Sequence, residues 1–200
     1  MVWGQIFLGC ARTNGADSIN SSSCGPSASS FTTTSGAIDG IKLHTSTTYG
    51  DGAVAFSLST SASKIKIKSI SLGLARVGSP SGTLTLTIEG DSAGSPNGTI
   101  EASGTRTFSS STSNANYIGT TPDFFEITLS STFEPDLGKT YWIHLERSGA
   151  ASISDYLIWA GATALSQFTD VKQLNLNFST WSTPAGTGDL MTKFSCRTSE

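Results

Sequence analysis

The stretch from Lys64 to Ile100 limits the fold more than any other part of this chain. Ile65 and Ile67 alternate with Lys64, Lys66 and Lys68, and Ile70, Leu72 and Leu74 then alternate with small or polar residues. After the turn Gly78-Ser79-Pro80-Ser81-Gly82, Leu84, Leu86 and Ile88 alternate with Thr83, Thr85 and Thr87, and Gly94-Ser95-Pro96-Asn97-Gly98 closes the unit. Successive side chains of a strand point to opposite faces, so this pattern predicts antiparallel sheet with one face in a core and the other in water. The parity changes between Ile67 and Ile70, which predicts either a β-bulge or a division into two strands.

The same period recurs downstream. Val54, Phe56 and Leu58 alternate, as do Phe125, Ile127 and Leu129. Tyr141, Ile143 and Leu145 form one face of a further strand and Trp142, His144 and Glu146 the other. In Ser154 to Ala160, Tyr156, Ile158 and Ala160 oppose Leu157 and Trp159; Leu174, Leu176 and Phe178 follow, then Leu190, Thr192, Phe194 and Cys196. No segment sustains a helical period over the length a helix needs. Eight or nine short strands between Gly, Ser and Pro turns predict an all-β chain, an antiparallel β-sandwich of jelly-roll type over residues 50–200.

Residues 1–49 differ. An apolar tip, Val2-Trp3 and Ile6-Phe7-Leu8, precedes a run rich in Ser, Thr, Asn and Gly, with a brief strand predicted around Ile38, Ile41 and Leu43. Two readings fit. In one, the segment is an irregular N-terminal arm: Trp3, Ile6, Phe7 and Leu8 dock on a partner while the polar spacer supplies reach. In the other, Trp3, Ile6 and Leu8 form an ordinary first strand of the domain. Ile6-Phe7-Leu8-Gly9-Cys10 resembles a lipoprotein cleavage site, but no Lys or Arg precedes Cys10 and the apolar part is short, so Met1 is read as the start of an unprocessed chain.

Charged residues make up only 14% of the chain, so the surface is built largely from Ser, Thr, Asn and Gly, a composition associated with exposed β proteins. The net charge of -3, with no long run of either sign, argues against nucleic acid and anionic membrane as partners. The longest apolar run is too short to span a bilayer. Three cysteines, Cys10, Cys24 and Cys196, leave at least one thiol outside any internal disulfide. Cys10 and Cys24 could pair across a Gly/Asn/Ser loop, or all three could stay reduced.

Several of these pieces together resemble the choice-of-anchor R type domain. They are Ile70-Ser71-Leu72-Gly73-Leu74, the Gly78 to Ile88 succession, Gly94 to Gly98, Phe125-Glu126-Ile127, Leu137 to Ile143, Tyr156 to Trp159 and Gly188 to Phe194, in order from about Ala53 to Cys196. Domains of that kind are jelly-roll-like modules of bacterial surface proteins and phage structural proteins. The resemblance implies an exposed β-sandwich, and it carries over neither an activity nor functional residues. The absence of an export signal and sorting tail favours the phage context over the cell surface.

The chemistry-bearing residues are sparse. His44 and His144 lie far apart, no Gly-x-Ser-x-Gly elbow occurs, and a Ser near a His means little where Ser is so abundant. Glu89, Glu126, Glu146 and Asp155 are the carboxylates a glycosidase would draw on, though each also reads as an ordinary wet-face or turn residue. No cofactor is expected. A structural calcium ion held by loop carbonyls and Asp51, Asp91 or Asp155 is compatible with a jelly roll but is not locatable from sequence. Aromatic residues offer the remaining lead: Trp142, His144 and Trp159 are the candidates for a glycan platform, against the plainer reading of tryptophans as core filling. Asn20, Asn97 and Asn177 match glycosylation sequons that stay bare without export.

The sequence thus points to a non-enzymatic phage virion protein: a capsid decoration, fibre, or neck or tail accessory. It would be present in many copies and attached to other virion proteins through its arm. The alternative is an extracellular or cell-surface carbohydrate-binding or adhesion module.

Overall fold

The computed structural model describes residues 23–24, 33–34, 37–38, 40–43, 49–58, 65–149, 152–161, 170–175, 179–183 and 190–198. Trp3, Ile6, Phe7, Leu8, Cys10 and His44 lie outside the described residues.

The strands are β1 (Ser23–Cys24), β2 (Thr33–Thr34), β3 (Ala37–Ile38), β4 (Gly40–Leu43), β5 (Tyr49–Ser57), β6 (Ile65–Val77) and β7 (Gly82–Asp91). They continue as β8 (Pro96–Phe108), β9 (Asp123–Phe133), β10 (Thr140–Arg147), β11 (Tyr156–Ala160), β12 (Asp170–Asn175), β13 (Thr180–Ser182) and β14 (Thr192–Thr198). Among the described residues there is no helix. Two antiparallel sheets stack as a jelly-roll-like sandwich. One has the order β1-β14-β6-β11-β4, with β9 also on β6; the other runs β13-β12-β5-β10-β7-β8, and β2 and β3 form a separate small pair.

Alternation explains the core. Ile65, Ile67, Ile70, Leu72 and Leu74 of β6 face Leu84, Leu86 and Ile88 of β7 across a space also filled by Phe56, Ile143, Leu145, Leu157 and Trp159, all buried in one cluster. Burying a side chain of this size contributes about 1.5–3 kcal/mol. The parity change near Ile67 is a bulge within one continuous strand: the register of β6 shifts against β9 between Ile67 and Ser69, and against β14 between Ser195 and Cys196. Residues Ile67–Leu72 pair with β9 on one edge and β14 on the other, while β11 pairs with Leu74–Val77.

Two features differ from the sequence reading. The turn from Gly78 to Gly82 is not a hairpin within one sheet. It carries the chain from β6 in the first sheet to β7 in the second. Gly78, at φ 67°, is required there because a Cβ would lie 2.0 Å from the carbonyl oxygen of Ser154. Second, the sandwich begins before residue 50. Ile41 and Leu43 of β4 are fully buried, β4 pairs with β11, and β1 pairs with β14. Four residues alternating over so short a span leave little signal in a Ser/Thr-rich neighbourhood.

Both long sides of the sandwich are tied across. On one, Gln173 Nε2 of β12 donates to the Lys42 carbonyl of β4 at 2.7 Å. On the other, β8 leans onto β9. Ser130 Oγ donates to the Ser103 carbonyl at 2.8 Å, Arg106 donates to the Glu126 carbonyl at 2.7 Å, and the Arg106 guanidinium lies 4.1 Å from the centroid of the Phe125 ring.

Candidate functional site

Strand β10 runs through the centre of the second sheet, between β5 and β7. Tyr141, Ile143 and Leu145 enter the core, which turns Trp142, His144 and Glu146 to the outer face. His144 stands opposite Ala53 of β5 and Thr87 of β7. Both neighbours are short, so the imidazole has room to lie down between carboxylates supplied two residues away on each flanking strand, Asp51 and Glu89. Bulges on either side of Glu89, between Ile88 and Glu89 and between Glu89 and Asp91, adjust the direction of its side chain.

The resulting cluster is compact. His144 Nδ1 lies 2.7 Å from Glu89 Oε1, and Nε2 lies 3.4 Å from Asp51 Oδ2. The second contact has ion-pair distance without hydrogen-bond alignment, and among the described residues no other group bonds to Nε2. Thr87 Oγ1 donates to Glu89 Oε1 at 2.8 Å and the backbone N–H of Gly98 donates to Oε2 at 2.9 Å. Burial pushes the His144 imidazole toward its neutral form, but Asp51 and Glu89 outweigh it and raise the pKa to about 9. Burial likewise pushes Glu89 up. The bonds from His144, Thr87 and Gly98, with the charge of His144, overcome this and hold the carboxyl below its ordinary value. At neutral pH the cluster is therefore an imidazolium held between two carboxylates.

Around it sits a small apolar patch. Ala53, Ala55 and Trp142 are buried, and the half-buried Trp181 of β13 packs on them. The Trp181 ring stands edge-on to His144, with centroids 5.0 Å apart and planes at 88°. Trp142 Nε1 donates to Asp91 Oδ1 at 2.7 Å.

The sequence grouped Trp142, His144 and Trp159, and the structure separates them. Trp142 and His144 share the outer face of the second sheet; Trp159 lies between the sheets, with Nε1 donating to the Met191 carbonyl at 3.2 Å. Trp142 is 1% and Trp159 0% exposed, so neither presents a ring face for a pyranose to stack on. The physical reason is size: the core has a space that an indole fills, and the alanines of β5 leave another. Sequence reasoning named Asp51 for calcium and Glu89 for a glycosidase, and it missed that both are partners of His144 and that the ring of Trp181 packs beside it. Their pairing depends on the register of strands distant in sequence, for which the chain carries no local signal.

The remaining acidic candidates are engaged separately. Glu126 accepts a hydrogen bond from Ser69 Oγ on the first sheet. Glu146 is exposed on β10. Asp155 accepts from the Ser79 N–H at 2.7 Å and from Ser152 and Ser154, bonds that hold its carboxyl below the usual range. Of the three aspartates considered for calcium, Asp51 faces His144, Asp91 receives Trp142 and Asp155 ties its loop to Ser79 of the β6–β7 turn.

As an acid–base device the cluster is poorly suited to catalysis. A general base must be unprotonated near the working pH and within reach of a substrate proton. His144 is held protonated, with a carboxylate against each ring nitrogen, and Glu89 is filled by three donors. What this arrangement does is bind β5, β7 and β10 together through their outward side chains.

Comparison with protein-family models, with curated proteins and with solved structures finds no match to this chain. The likeness to the choice-of-anchor R type domain rests on the sequence motifs alone.

Proposed function

We propose that this chain is a non-enzymatic structural protein of a phage virion, a capsid decoration, fibre, or neck or tail accessory, whose sandwich is displayed on the particle. The observation that carries the non-enzymatic part is the buried Asp51–His144–Glu89 cluster, whose ionisable groups are spent on one another rather than on a cleft. The exposed strands fit display. The outward residues of β9 include Glu126, Thr128 and Ser130, and those of β8 include Asn97, Thr99, Thr105 and Thr107, a hydroxyl-rich surface over an apolar interior. The virion assignment comes from the motif resemblance and from the apolar tip Trp3, Ile6, Phe7 and Leu8 on a polar spacer.

The test compares the full chain with a chain lacking residues 1–31, each produced during particle assembly. Particles purified by density gradient should contain the full chain in many copies, labelled from outside by antibody against the sandwich, and should lack the shortened one. Recovery of the full chain only in the particle-free fraction overturns the virion reading. Incorporation of the shortened chain overturns the docking arm.

A further inference from the structure

A groove of about 380 Å³ opens where the segment 117–125 crosses from β8 to β9. Leu74 and Phe125 form its apolar floor; Tyr117, 37% exposed, and the half-buried Phe124 supply rings; Thr121 and Asp123 stand at the exposed rim. The segment is fixed by its backbone. The Ile118 N–H donates to the Ser109 carbonyl at 2.9 Å, and the Arg76 N–H donates to the Gly119 carbonyl at 2.8 Å. Arg76 Nε adds a bond to the Ile118 carbonyl at 3.0 Å. Asp123 Oδ1 accepts from the Phe124 N–H at 2.7 Å, which orients an exposed carboxylate. The groove is thus formed before any ligand arrives, which lowers the ordering cost of binding.

We propose that this groove binds a neutral saccharide of one or two hexopyranose units. An aromatic face attracts the polarised C–H bonds on the apolar side of a pyranose, a carboxylate accepts from its hydroxyl groups, and neighbouring threonine hydroxyls both donate and accept. The volume falls in the range of small-ligand sites, roughly 300–1,000 Å³. The hydrogen-bonding groups nearest the groove favour hydroxyls over an anionic group. The Arg76 guanidinium is committed to the carbonyls of Gly78 and Ile118 and lies 5.8 Å from the Tyr117 ring centroid. Lys193 Nζ is 3.5 Å from the centroid of the Phe124 ring. The charged group standing at the exposed rim is the Asp123 carboxylate, which accepts from hydroxyls and disfavours an anion placed against it. The glycan-binding residues therefore lie on the loop before β9, and not on the tryptophans that the sequence singled out. The site stands or falls independently of the virion reading, because the purified protein tests it.

Saturation-transfer NMR and calorimetry on the full chain, with glucose, galactose, mannose, N-acetylglucosamine, maltose, cellobiose and lactose, are the experiment. At least one of these sugars should bind with a Kd on the order of 1 mM. Tyr117→Ala should weaken that binding by about tenfold, while Tyr117→Phe, which keeps the ring, should stay within about threefold. Asp123→Asn, exposed and with an amide oxygen still able to accept from Phe124, should weaken binding about fivefold with the circular dichroism spectrum unchanged. Absence of saturation transfer to every sugar overturns the proposal, and so does wild-type affinity in Tyr117→Ala. Sialic acid, run alongside as the anionic comparison, should bind more weakly than the best neutral sugar, and preference for it over all seven overturns the choice of a neutral ligand.

Discussion

A single residue type illustrates how the meaning of a side chain depends on what covers it. Trp142 and Trp159 each alternate correctly along their strands, and that alternation was legible in the sequence: the Tyr141/Ile143/Leu145 and Leu157/Trp159 faces are the ones in the core. Alternation does not say whether an outward face is open. Trp142 points outward and is 1% exposed, held by Asp91 and packed on alanines. Trp159 fills the inter-sheet space, so Trp159→Ala should remove core rather than a ligand platform. The cost should be about 3–5 kcal/mol, and thermal unfolding by circular dichroism should show a melting temperature lower by about 10 °C. A melting temperature within two or three degrees of wild type, on the scale of about 2–4 °C per kcal/mol, would place Trp159 outside the core.

At the level of elements, strands with clean period-two patterns were readable and their partners were not. β7 matches the Thr/Leu alternation of Thr83 to Glu89, and the bulge in β6 matches its parity change. The crossing of Gly78–Gly82 between sheets was hidden, because a Gly/Pro turn looks the same whether the next strand pairs beside the last or faces it. Likewise β8 gives no local sign that it closes on β9. That closure depends on Gly104, where a Cβ would lie 2.3 Å from the carbonyl oxygen of Thr128. Gly104→Ala must push β8 away from β9 and should cost about 1–3 kcal/mol in urea unfolding. Gly119→Ala is the control: its Cβ meets nothing nearer than 3.6 Å, so stability should be unchanged or higher by up to about 1 kcal/mol. Equal effects of the two substitutions would mean that β8 and β9 are not in close backbone contact.

For the molecule as a whole, the buried acid–base cluster serves stability. Asp51, Glu89 and His144 come from three strands, and together they join the middle of the second sheet on the face away from the core. The pH dependence follows from the directions of the shifts. His144 titrates near 6.5 when unfolded and near 9 when folded, so its contribution is complete below about 6.5 and is lost as pH rises through about 9. Glu89 titrates lower in the folded state than its ordinary 4.5, so its contribution is present above that value and is lost as the medium becomes more acidic. Stability should therefore be greatest between about pH 4.5 and 6.5. The decisive measurement is the unfolding free energy of wild type and His144→Gln, from denaturant titrations at steps from pH 6 to 9.5. Between about pH 6.5 and 9, wild type should lose stability relative to the variant by about 1.4 kcal/mol per pH unit, on the order of 3 kcal/mol in all. Parallel curves for the two proteins from pH 6.5 to 9 would contradict a structural imidazolium and return His144 to the pool of residues free for chemistry.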